Sequence, residues 1–223
     1  MTTEEVLEQV AAEVQVCTKC DLYRNTKHGV PGEGNPHAEV MFIGEAPGGR
    51  EDALGRPFVG PAGQFLNELL AAAGLKRSDV FITNVVKHRP PENRDPLPEE
   101  IAACSHYLDR QIAAINPRVI VTLGRFSMAR YFPNAKISQI HGQAKVIGGR
   151  VVLAMYHPAA ALHQQALKQT LFDDFTRAIP AALAEAQRLV AAGKLASQQP
   201  AQGQGQGQQA PDEPSPPQQM SLF

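Results

Sequence analysis

The 223-residue chain has no tryptophan and only three cysteines, Cys17, Cys20 and Cys104. An odd number of cysteines, two of them in a Cys-x-x-Cys pair, argues against a disulfide framework and fits a reducing, cytoplasmic setting. No apolar stretch approaches the roughly 18 residues of a membrane span. The opening MTTEEVLEQVAAEV is acidic and amphipathic, with neither the basic start nor the apolar run of a secretion signal. The net charge of −1 carries no global signature of nucleic-acid binding, so any DNA contact has to rest on a local basic surface. The glycine-rich Gly44-Glu45-Ala46-Pro47-Gly48-Gly49 lacks the G-x-G-x-x-G order of a dinucleotide fingerprint and the Gly-Lys-Ser/Thr of a phosphate-binding loop.

The chain does contain alternating short strands and helices. Thr2 and Glu5 form a capping-box pattern for a first helix ending near Val16. The Gly/Pro/Asn-rich segment 21–38 is predicted to be a loop. Strands are predicted at 40–44, 80–84 and 118–124, and a hairpin over 146–157 turns at Gly148-Gly149. Between them fall a helix over 63–74 stopped by Gly74, a helix begun by Pro98 with acids in its first turn, and a short helical run FSMARYF. A long helical pattern starts near Leu167 and is expected to break or kink at Pro180. This alternation predicts an α/β fold, three layers with a mostly parallel central sheet. The folded domain is expected over 1–196. A Gln/Gly/Pro linker over 197–218 has almost nothing to bury and is expected to be disordered.

Each strong strand ends in a polar or glycine element: Glu45 after the first, Asn84 after the second, Gly124 after the third, His157 after the fourth. Ligands of open α/β sheets bind outside the carboxyl ends of the strands. Glu45, Asn84 and His157 are therefore expected in one crevice, with glycines that let a flat ring approach the backbone. Phe58, set among glycine and proline, is a candidate stacking face. Lys87, Arg89 and Arg94 form a local basic loop suited to phosphates.

Taken in order, Cys17-Thr18-Lys19-Cys20, Gly44–Gly48, Gly55-Arg56-Pro57-Phe58-Val59-Gly60 with Ala62-Gly63-Gln64, Ile82–Lys87, Arg89–Asn93 and Tyr156-His157-Pro158 resemble the family-4, iron–sulfur uracil-DNA glycosylases. The resemblance runs from about Cys17 to Asp174. It implies the uracil-DNA glycosylase fold and hydrolysis of the N-glycosidic bond of uracil in single- and double-stranded DNA, the first step of base excision repair. It also implies a [4Fe–4S] cluster. Cys17, Cys20 and Cys104 match three ligand positions, and His88 stands where the family has its remaining cysteine. Imidazole does ligate cluster iron, and a zinc site with Cys₃His chemistry is compatible with the same residue types. A related group that captures DNA covalently also carries Lys-His here, but adds an insertion that this chain lacks, so covalent capture is not expected.

The resemblance assigns uracil binding to Glu45, Ala46, Gly48, Phe58, Asn84 and His157, with His157 donating to the uracil O2 as charge develops. It leaves the positioning of water to Glu45 or Glu51, because Ala46 stands where the family-1 enzymes carry an aspartate. Leu162 is a candidate wedge for the vacated stack. The last five residues, Gln219-Met220-Ser221-Leu222-Phe223, resemble the pentapeptide that binds the bacterial sliding clamp, with Gln219, Met220, Leu222 and Phe223 as anchors. A nucleoid-associated monomer is the expected setting. Competing readings are a non-catalytic iron–sulfur redox or nucleic-acid-binding module and an α/β hydrolase of free nucleotides.

Overall fold

The computed structural model describes residues 1–195, so the linker over 197–218 and the clamp-like residues 219–223 lie outside the described residues. Six strands form one mixed sheet in the order β1-β3-β2-β4-β6-β5. These are β1 (Glu33–Gly34), β2 (Val40–Gly44), β3 (Phe81–Asn84), β4 (Val119–Leu123), β5 (Ala144–Ile147) and β6 (Arg150–Met155). The central four are parallel, and only the edge strands β1 and β5 run antiparallel. The expected mostly parallel sheet is therefore present.

The pleat of the apolar runs explains the layers. Alternate residues of a strand face opposite sides of a sheet. Val40, Phe42, Val119, Val121, Val151 and Leu153 point to one core, where α3 (Pro61–Ala72) and α8 (Ala166–Ala191) supply Leu66, Leu69 and Phe175. Met41, Ile43, Ile120, Val152 and Ala154 point to the other, where α4 (Pro98–Ile115) supplies Leu108 and Ile112. Each such fully buried Val, Leu, Ile, Phe or Met side chain contributes on the order of 1.5–3 kcal/mol. Two-sided burial is why the strands read as continuous apolar runs rather than alternating ones.

Outside α4 lies α1 (Thr3–Gln15), opened by the Thr2/Glu5 capping box. Its Val10 and Val14 pack on Tyr107 of α4. This outer packing carries Cys17 and Cys20 to the α4 side of the sheet. Helix α8 runs through Pro180 without the break that was one of the two outcomes expected there. Leu171, Phe175, Ala178, Ile179 and Ala182 bury one face of α8 along the sheet. That continuous apolar stripe outweighs the single backbone bond the proline removes. Four short elements escape the sequence pattern: β1, α2 (Gly49–Leu54), α6 (Ile137–Ile140) and α7 (Pro158–His163). They are six residues or fewer, too short to show a period. The run FSMARYF contributes α5 (Arg125–Ala129). Among the described residues, no helix is long and apolar enough to cross a membrane.

Candidate active site

Strand β2 is flanked by β3 on one side and β4 on the other, so the chain direction of the crossovers reverses there. A crevice opens beyond the carboxyl ends of the strands at such a reversal. A cavity of about 420 Å³ occupies it, lined among others by Glu45, Ala46, Gly48, Glu51, Phe58, Asn84 and His157. All the residues expected to bind uracil thus meet in one place.

Asn84 closes β3 and is buried, and among the described residues its side-chain oxygen Oδ1 has no hydrogen-bond partner. Beside it, Gly44 ends β2 in register with Asn84. A Cβ on Gly44 would sit 2.4 Å from Asn84 Oδ1 and 2.6 Å from Phe58 Cζ. Only glycine lets these two groups converge on the strand end.

Phe58 holds a left-handed backbone, φ 50°, which is unfavourable for a bulky residue and persists only when its surroundings enforce it. Arg77 supplies that enforcement. Its guanidinium donates to the carbonyls of Pro57 (2.6 Å) and Phe58 (3.2 Å), to Asn67 Oδ1 (3.1 Å) and to Glu33. Glu51 Oε1 accepts from the backbone N–H groups of Val59 and Gly60, each at 2.8 Å, fixing the chain as it enters α3. Gly63 completes the fit, because a Cβ there would lie 1.9 Å from the Phe58 carbonyl oxygen. Glu51 therefore lines the cavity with one carboxylate oxygen committed to the Phe58 loop. Glu45 accepts no side-chain hydrogen bond among the described residues. Burial, with Asp95 nearby, raises its carboxyl above the usual range against the opposing Arg125.

The His157 ring lies 5.5 Å from that of Phe58, the planes inclined by 28°. Its Nδ1 accepts from the backbone N–H of Ala159 at 3.1 Å, where His157 caps α7. A ring whose Nδ1 accepts carries its proton on Nε2. Burial pushes the imidazole down to about 4, against a weaker pull from Glu51. At neutral pH the ring is an uncharged donor.

The basic loop differs from expectation. Lys87 is fully buried, so it is not a phosphate contact. Its Nζ donates to Thr83 Oγ1, the Asn84 carbonyl and Gln111 Oε1 at 2.7, 2.9 and 2.9 Å. The Arg94 guanidinium is engaged by both oxygens of Glu100, at 2.6 and 2.9 Å, although it borders the cavity. Arg89 is half-buried and donates Nε to Asn93 Oδ1. Leu162 is half exposed on α7, between the cavity residues Ala159 and His163. Asn93, Pro90, Ala62 and His163 also line the cavity. The first three belong to sequence blocks already singled out, but nothing in their residue types set them apart.

Cys104 is buried and the other two cysteines are half-buried. The Cys104 thiol accepts from the backbone N–H of Lys87 at 3.4 Å and interacts electrostatically with both Cys17 and Cys20. Burial pushes it up to about 11. His88 is buried and borders, with Cys17, a separate cavity of about 270 Å³. Among the described residues, no three Cys, His, Asp or Glu side chains are grouped closely enough to hold a single metal ion.

Residues 31–179 match the family model of the uracil DNA glycosylase superfamily. The type-4 uracil-DNA glycosylase of Archaeoglobus fulgidus is 48% identical over 183 residues, covering 78% of this chain and 92% of that protein. The type-4 enzyme of Thermotoga maritima is 44% identical over 182 residues, 79% of this chain and 95% of its own length. A type-5 uracil-DNA glycosylase of Thermus thermophilus is 34% identical over 149 residues, 57% and 68% of the two chains.

The state of His157 sets a pH dependence. Its folded value of about 4 lies below the ordinary 6.5, so the neutral ring favours folding. That contribution is complete above about pH 6.5 and is lost as the pH falls from there through about 4. Urea unfolding across this range should show a steeper acid loss of stability for the native chain than for His157→Gln. Identical slopes would contradict a neutral His157.

Proposed function

The chain belongs to the uracil DNA glycosylase superfamily, and from that premise we propose that it excises uracil from DNA by hydrolysing the N-glycosidic bond. The observation that carries the reading is the buried Oδ1 of Asn84, without a partner among the described residues, on a residue that lines the cavity with Phe58. An unpaired buried carbonyl costs on the order of 1–3 kcal/mol. A donor brought by a substrate recovers that cost. Uracil carries such a donor at N3, and its O4 accepts from the Asn84 amide. Cytosine offers the opposite pattern at both positions, leaving buried groups unpaired.

Because uracil lies inside a duplex, it is flipped out or met in a single strand. Phe58 offers the ring a stacking face. As the bond to C1′ breaks, charge gathers on the uracil O2, and the Nε2–H of His157 is the donor that meets it. A neutral imidazole suits this role, since it stabilises the leaving group without first giving up its proton. Glu45 is assigned the water, because Glu51 is committed to the Phe58 loop. The hydroxyl of that water goes to C1′ and its proton to the departing base. Arg89 is the remaining phosphate contact of the basic loop, and Leu162 fills the gap left in the stack.

Cys17, Cys20, His88 and Cys104 are proposed to hold a [4Fe–4S] cluster. When bound, it joins the segment after α1, the loop after β3 and α4, so its ligation couples to folding. Anaerobically purified protein should contain iron and acid-labile sulfide in nearly equal amounts. Zinc alone would refute the cluster.

Uracil release is the direct test. The full chain should liberate uracil from a single-stranded oligonucleotide with one uracil, and leave the cytosine counterpart intact. His157→Ala should slow single-turnover release by roughly 10²–10³-fold with little change in DNA binding. No release by the native chain would overturn the reading and favour a non-catalytic module.

The tail adds a second contact. Gln219, Met220, Leu222 and Phe223 are proposed to anchor in a bacterial sliding clamp. A linker of about 23 residues has a reach on the order of 25–30 Å if flexible. Leu222→Ala/Phe223→Ala should abolish binding to the clamp of the same organism while sparing uracil release from short DNA. Equal clamp binding by both chains, or none by either, would reject the contact.

A further inference from the structure

Lys87 lies beside the proposed uracil pocket without lining it. It is fully buried, yet every hydrogen-bonding group it carries has a partner. Its Nζ meets three acceptors, Thr83 Oγ1, the Asn84 carbonyl and Gln111 Oε1. Its backbone N–H donates to Cys104 Sγ, and its carbonyl accepts from Val30 at 2.7 Å. The acceptors are themselves tied down. The Thr83 hydroxyl and the Gln111 amide both donate to the Pro31 carbonyl, at 2.9 and 2.7 Å. The result is a closed polar knot between the end of β3, the loop before β1, and α4.

Asn84 is the last residue of β3. The side chain of Lys87 folds back three and four residues to hold the Asn84 carbonyl and the Thr83 hydroxyl. Beside this knot, among the described residues, Asn84 Oδ1 is buried without a hydrogen-bond partner, and Asn84 lines the cavity.

We propose that Lys87 is a positioning residue for base recognition: it fixes the backbone of Asn84 from behind so that the amide presents its open oxygen to the base. This rests on the reading of Asn84 as the residue that recognises uracil. Without the Lys87 amino group, a buried carbonyl at the strand end loses its partner, and the end of β3 shifts to find another. A displacement near 1 Å costs a reaction on the order of 10²-fold when geometry is critical.

The test is a double-mutant cycle on the full chain, measuring single-turnover uracil release, inhibition by free uracil and DNA affinity. Lys87→Met keeps the length and removes the donors. It should slow release about 10- to 100-fold and weaken inhibition by free uracil. Affinity for uracil-free DNA and iron content should stay at native levels. In an Asn84→Ala background, Lys87→Met should cost nothing further, because its effect passes through Asn84. Losses that multiply, or native release by Lys87→Met, would overturn the proposal. Should Lys87→Met fail to fold, Gln111→Ala removes one anchor. A several-fold loss that vanishes with Asn84→Ala supports the role, and one that persists in full overturns it. The two levels separate cleanly. Native release unaffected by Asn84→Ala sinks the recognition reading itself, whereas a large Asn84→Ala effect with multiplying losses sinks only Lys87.

Discussion

The site is organised around one unmet hydrogen bond. A carbonyl oxygen buried without a partner is costly, and Asn84 Oδ1 is held in that state by its surroundings. The parallel register of β2 and β3 sets Asn84 opposite Gly44, and the missing side chain of Gly44 keeps the oxygen open. Every other polar atom close behind it is satisfied within the protein by Lys87, Gln111 and Thr83. In the proposed reading, the choice of uracil over cytosine follows from this arrangement. A base that brings a donor to that oxygen relieves a penalty already present, and one that brings an acceptor deepens it.

The same economy governs the opposite wall. Phe58 sits in a left-handed backbone because Arg77 grips the carbonyls of residues 57 and 58, Glu51 takes the next two N–H groups, and Gly63 leaves room for the Phe58 carbonyl. The strain is local, and the long apolar contacts of α3 with the sheet carry it. His157 faces Phe58 as a neutral ring whose tautomer is fixed by the first turn of α7. In the proposed reading, recognition of the base and an uncharged proton donor thus arise from backbone geometry.

Much of this was legible in the sequence, for identifiable reasons. Buried parallel strands read as short apolar runs, and the polar residue after each run marks the carboxyl end of the sheet, so Glu45, Asn84 and His157 could be expected together. The register that sets Asn84 against Gly44 is a tertiary fact with no local signal. Lys87 was misread as a surface cation because Lys-His-Arg in a proline-rich loop looks solvated. Its burial depends on Gln111, 24 residues away on another element. The pairing of Arg94 with Glu100 was hidden for the same reason. Arg77, which holds Phe58 in place, lies in a short turn before β3 and gave no pattern.

The central claim is that Asn84 receives the base through its side-chain amide. The side-chain ¹⁵N–¹H₂ resonances of Asn84, assigned through Asn84→Asp, report on it directly as free bases are added. Uracil should shift them strongly, cytosine should not, and Gly44→Ala should abolish the uracil response by filling the space beside Oδ1. No shift with uracil, or equal shifts with both bases, would contradict the account.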